Sequence, residues 1–91
     1  MTDTKITVYD YPKNSYLELI IENDSLRLIS EVYINDEDTS EVHYSFNKEE
    51  TNKLFEIFSL EGFVDFIKEH RLKGTLDFLK QNNIRYSTAG Y

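Results

Sequence analysis

Glu41-Val42-His43-Tyr44-Ser45-Phe46-Asn47-Lys48-Glu49-Glu50-Thr51-Asn52-Lys53-Leu54-Phe55-Glu56-Ile57-Phe58 is the stretch in which the hydrophobic period of this chain changes. Over residues 41–46, Val42, Tyr44 and Phe46 alternate with Glu41, His43 and Ser45, the period of a half-buried strand. Further on, Leu54, Phe55 and Phe58 recur at helical spacing. Between the two, Asn47-Lys48-Glu49-Glu50 supplies a helix start. Asn47 can cap, and Glu50 stands where a capping box places its acid. A strand therefore runs directly into a helix, and the chain on either side keeps that division.

Toward the N-terminus the pattern stays at period two. Residues 4–9 put Ile6 and Val8 on one side. Residues 11–14, Tyr-Pro-Lys-Asn, read as a turn because Pro12 has a fixed φ and no N–H. Residues 16–21 place Leu17, Leu19 and Ile21 opposite Tyr16, Glu18 and Ile20. Glu22-Asn23-Asp24-Ser25 is a tight hairpin loop, since Asn and Asp tolerate left-handed backbone. Residues 26–34 group Leu26, Leu28, Val32 and Ile34. A loop at 35–40 carries Asp36-Glu37-Asp38.

Toward the C-terminus the period stays helical. Ser59 can cap a second helix with Leu60, Phe63, Val64 and Ile67 on one face. Gly62-Phe63-Val64-Asp65-Phe66-Ile67-Lys68 is echoed twelve residues later by Gly74-Thr75-Leu76-Asp77-Phe78-Leu79-Lys80. On one continuous helix the two copies would face directions roughly 120° apart. Two shorter helices with a break near Lys73-Gly74, the second capped by Thr75, resolve this. Asn82-Asn83 is the expected stop. A short fifth strand can follow at residues 84–87, and Ser87 to Tyr91 are expected as a tail. The expected fold is one α+β domain: a four-stranded antiparallel meander, then two or three helices. These bring Leu54, Phe55, Phe58, Phe63, Val64, Ile67, Leu76 and Leu79 to one sheet face.

Composition bounds the chemistry. Of 91 residues 40% are hydrophobic, with seven Tyr and six Phe, too apolar for a disordered acidic segment. There is no Cys, so disulfides, a thiolate nucleophile and Cys-based zinc sites are excluded. That fits a cytoplasmic protein. No apolar run approaches a membrane span, and Met1 to Lys5 lacks the pattern of a signal peptide. No cofactor or metal is expected. Asp36-Glu37-Asp38 lacks the spacing, glycine and terminal Glu of an EF-hand loop. Ser45 lies two residues from His43 without the surroundings of a nucleophile elbow. His70 suits the dipole at a helix end. Lys68, Arg71, Lys73, Lys80 and Arg85 share the helical half with five acids and read as a mixed solvated face.

The net charge of −7 is localised. Residues 16–50 hold ten acids and two bases, residues 51–91 are nearly balanced, and residues 1–15 balance. The acids therefore fall on the sheet, where the wet face would carry Tyr16, Glu18, Ile20, Arg27, Ile29, Glu31, Tyr33, Glu41, His43 and Ser45. Carboxylates pair with Lys and Arg, and Tyr supplies contact area at low entropy cost. Such a surface disfavours nucleic acid and anionic membranes and suits a basic protein. The partner-binding residues expected are Tyr16, Glu18, Glu31, Tyr33, Asp36, Glu37, Asp38 and Glu41. The function expected is non-enzymatic: a small bacterial or phage inhibitor, immunity protein or antitoxin. It would neutralise a nuclease, toxin or other nucleic-acid-binding enzyme. One alternative is a homodimeric structural or adaptor domain, paired through Ile20, Ile29 and edge strands. Another is a small ligand-binding domain or enzyme with a pocket near Tyr9, Tyr11, Tyr44 and Tyr86.

Overall fold

A computed structural model describes residues 3–11, 15–33 and 39–90. The elements run β1 (Thr4–Tyr11), β2 (Ser15–Glu22), β3 (Ser25–Tyr33), β4 (Thr39–Ser45), α1 (Lys48–Ile57), α2 (Leu60–Gln81) and β5 (Ser87–Gly90). The strands form one sheet in chain order, every neighbour antiparallel. The α+β class and the meander are as the periodicity implies. The turn at Pro12 and the loop with Asp36, Glu37 and Asp38 lie outside the described residues, as does Ile34.

Local chemistry sets the boundaries. Asn23 and Asp24 both have positive φ, 52° and 62°, the requirement of a two-residue type I′ hairpin. Asn47 accepts the Glu50 N–H at 2.9 Å and starts α1. Ser59 accepts the Gly62 N–H at 3.0 Å and starts α2. At the far end Asn83 takes φ 57°. The Ile84 N–H then reaches the Leu79 carbonyl (2.9 Å) and the Asn83 N–H reaches Lys80 (3.2 Å). That is a Schellman stop, and both its apolar partners, Leu79 and Ile84, are buried.

The core lies between one sheet face and the helices. It joins Leu17, Leu19, Ile21, Leu26 and Leu28 to Phe46, Leu54, Phe63, Ile67 and Leu79. Each such side chain contributes about 1.5–3 kcal/mol on leaving water. Phe55, Phe58 and Leu76 pack against it partly buried. A register shift between Thr7 and Tyr9 leaves Val8 as the extra residue of a bulge and lets it stay buried. A bulge on an edge strand also hinders pairing with foreign strands. Among the described residues no helix is long and apolar enough to cross a membrane.

Three expectations are corrected. Val32 does not join Leu26 and Leu28 in the core but is 46% exposed, while Ser30 is the last buried residue of that row. The fifth strand is not at residues 84–87. The segment expected as a tail, Ser87–Gly90, makes it, pairing with Ser45 to Val42. Ile84 is instead used as a core residue, 2% exposed. Ser-Thr-Ala-Gly has no apolar alternation, so only the ladder with β4 reveals the strand.

The helical half breaks at Arg71, two residues before the expected point. Arg71 has φ 63° and ψ 177°, and α2 is two arms joined there. Phe66 and Phe78 come within 4.9 Å between ring centres, whereas a straight helix would separate them by about 18 Å. The break gives the echoed copies the same burial at all positions but one, Val64 being buried and Leu76 partly so. Ile67 and Leu79, and Phe63 and Thr75, are all fully buried, and Phe66 meets Phe78. Thr75 does not cap the second arm from outside; its hydroxyl donates to the Arg71 carbonyl at 2.7 Å. The Arg71 guanidinium sits 5.5 Å from the Tyr9 ring centre, tying the break to β1.

Candidate functional site

The sheet face away from the helices is ordered into rows by strand register. Tyr16 on β2 lies opposite Glu31 on β3, and Glu31 opposite Glu41 on β4. The next row runs Glu18, Ile29, His43, and the next Ile20, Arg27, Ser45. Adjacent strands are about 4.8 Å apart, so the first row spans about 10 Å. The alternation of Tyr16, Glu18 and Ile20 on β2 puts all three on this side.

The acids differ in their surroundings. Glu18 is only 8% exposed despite facing away from the core. It accepts the Tyr16 hydroxyl at 2.5 Å and has the Lys5 ammonium 3.7 Å away. Glu18 therefore acts through Tyr16, whose ring it holds in place, rather than as a free acid. Glu41 meets His43 at 2.7 Å. Glu31 is half-buried and forms no ion pair among the described residues. Arg27, the base of the central strands, turns toward the hairpin and Glu22, at 3.9 Å. Among the described residues Glu31 is thus left without a cation, and Glu41 has the His43 imidazole as its neighbour. No group of three or more His, Asp or Glu among the described residues is arranged to hold a metal.

Of the expected partner residues, Tyr16, Glu31 and Glu41 are brought into one row, with Glu18 adjoining it. Tyr33 contributes its backbone to the end of β3, opposite Thr39; its side chain lies outside the description, as do Asp36, Glu37 and Asp38. His43 belongs to the cluster although it was not among the expected partner residues. Its two-residue spacing from Glu41 on an alternating strand was the available signal. His70 ends the first arm of α2, stacked 4.3 Å from Phe66. Chemically the row can accept hydrogen bonds from ammonium or guanidinium groups, and Arg can engage a carboxylate through two parallel N–H bonds. Ile20 and Ile29 lie half-buried beside it and add apolar contact area.

Glu50 carries more than its capping position implied. It does not reach back to complete a capping box. Its Oε1 accepts from Lys53 at 3.0 Å, and its buried Oε2 has no hydrogen-bond partner. Asn83, Arg85 and Tyr86, from beyond α2, line the same cleft as Glu50, a neighbourhood for which the local sequence held no signal. Comparison with protein-family models, with curated proteins and with solved structures finds no match to this chain.

Proposed function

We propose that this protein is a non-enzymatic binding module acting in the cytoplasm. In this reading it is an inhibitor or immunity-type protein whose acidic sheet face occupies the basic surface of a nucleic-acid-binding enzyme or toxin. One observation carries the reading. Tyr16, Glu31 and Glu41 form a continuous cross-strand row in which Glu31 stands directly opposite Glu41 and pairs with no base among the described residues. Like charges directly opposite cost stability, so the row is better suited to a surface completed by a partner's Lys or Arg than to folding alone. Desolvated carboxylate–guanidinium contacts would supply specificity, and the remaining acids would speed encounter.

The test is affinity capture with the full chain as bait at about 50 mM and about 300 mM salt. Retention of a basic nuclease or other nucleic-acid enzyme at low salt, and its weakening at high salt, supports the reading. A captured enzyme must also lose activity in proportion to bound inhibitor. Recovery of bait alone, with a doubled mass in solution, overturns it in favour of a homodimer.

A further inference from the structure

A second site lies on the opposite side of β4 from the bulk of the sheet, where the start of α1 meets the approach to β5. A cleft of about 460 Å³ opens there, within the range of small-molecule sites. Its wall includes two acids, Glu49 and Glu50, and two bases, Lys53 and Arg85. The Glu50 side chain is 8% exposed, and its Oε2 is a buried oxygen without a hydrogen-bond partner. Buried carboxylate oxygens are normally satisfied, and a bare one marks a place where a donor belongs. Arg85 is exposed and makes no ion pair among the described residues.

We propose that this cleft binds a small zwitterion, an α-amino acid or short peptide, with its ammonium on Glu50 and its carboxylate on Arg85. The balance of charge selects this class. A simple anion would face Glu49 and Glu50, and a simple cation would face Lys53 and Arg85. A molecule carrying both signs meets a complement for each. The amides of Asn47 and Asn83 add neutral donors and acceptors on the same wall, and Tyr86 adds a ring. Binding needs a small turn of the Glu50 carboxyl to present Oε2 to the cleft. Ser45 borders both sites, but none of the residues expected to contact a basic protein lines the cleft, so the proposal stands whether or not the acidic face binds one.

The test is a titration of the full chain, followed by backbone amide NMR, with glycylglycine, L-glutamine, sodium acetate and methylammonium chloride. The expected result is saturable shifts at amides 47–50 and 85–87 with at least one of the two zwitterions. Acetate and methylammonium should act at least about tenfold more weakly. Glu50→Gln and Arg85→Ala should each weaken the response about tenfold, the loss of one charge-assisted hydrogen bond. Arg85 is exposed, so its variant keeps the test valid if Glu50→Gln fails to fold. No saturable shift with either zwitterion up to about 20 mM, equal shifts with acetate alone, or a response unchanged in Arg85→Ala overturns the proposal.

Discussion

Glu31 and Glu41 face each other directly across β3 and β4. The pair works against the sheet, because opposed like charges on neighbouring strands repel at short range. Replacing Glu31 by Lys converts the repulsion into attraction. The expected gain is about 0.5–1 kcal/mol, or several degrees in thermal midpoint for a domain of this size. The same substitution should lower affinity for a basic partner at least about tenfold. Stability and binding should thus move in opposite directions. If thermal melts show a gain and binding to the authentic partner is unchanged, the row serves solubility alone.

Thr51 joins α1 to the sheet. Its hydroxyl oxygen accepts the buried backbone N–H of Leu26 at 3.0 Å and its proton points to the Phe46 carbonyl at 3.4 Å. Thr51→Val keeps the shape and removes the acceptor. The stranded Leu26 N–H should then cost about 1–3 kcal/mol. Chemical denaturation should show a lower midpoint with an unchanged slope, and the acidic face should keep its affinity. A loss within experimental error would mean the N–H finds another acceptor.

Arg71 holds a backbone conformation that side-chain-bearing residues rarely adopt, φ 63° with ψ 177°. Arg71→Ala and Arg71→Gly both remove the stacking on Tyr9, but only Gly relieves the backbone. Gly also loses more freedom on folding, by about 0.5–1 kcal/mol, against a strain of about 1–3 kcal/mol. The Gly variant should therefore be more stable than the Ala variant by about 1–2 kcal/mol. Equal stabilities in urea would show that the arms of α2 join without strain at this position.

Tyr44 carries the pH-sensitive contact of the β4–β5 corner. Burial, and secondarily the nearby Tyr86, raise its pKa above the ordinary 10.0. The folded chain therefore holds a phenolic proton that the unfolded chain releases first. This contribution is complete below about pH 10 and is lost as pH rises through the folded value. As pH rises past the ordinary tyrosine value of 10.0, the melting temperature of the wild type should fall more steeply than that of Tyr44→Phe. Parallel slopes for the two proteins would remove Tyr44 as the cause.

Much of this architecture is local and was therefore legible in the residues. The switch from alternation to helical spacing at Asn47 divides sheet from helices, because strand and helix place their apolar faces at different periods. The Asn23-Asp24 hairpin, the caps at Asn47 and Ser59 and the stop at Asn82-Asn83 depend on side chains within a few residues of the backbone they serve. The grouping of Tyr16, Glu18, Glu31 and Glu41 on one side follows from alternation as well. What depends on contacts far along the chain was not legible. The register that sets Glu31 against Glu41, the recruitment of Ser87–Gly90 beside β4 and the exposure of Val32 each follow from which segments meet. The echo of residues 62–68 at 74–80 already called for a break in the helical half; the burial of Glu18 under Tyr16, the placing of that break at Arg71 and the bare oxygen of Glu50 arise only on packing. Local sequence determined which elements form and which way their side chains alternate; tertiary packing decided which polar groups were satisfied, which were opposed and which were left waiting for a partner.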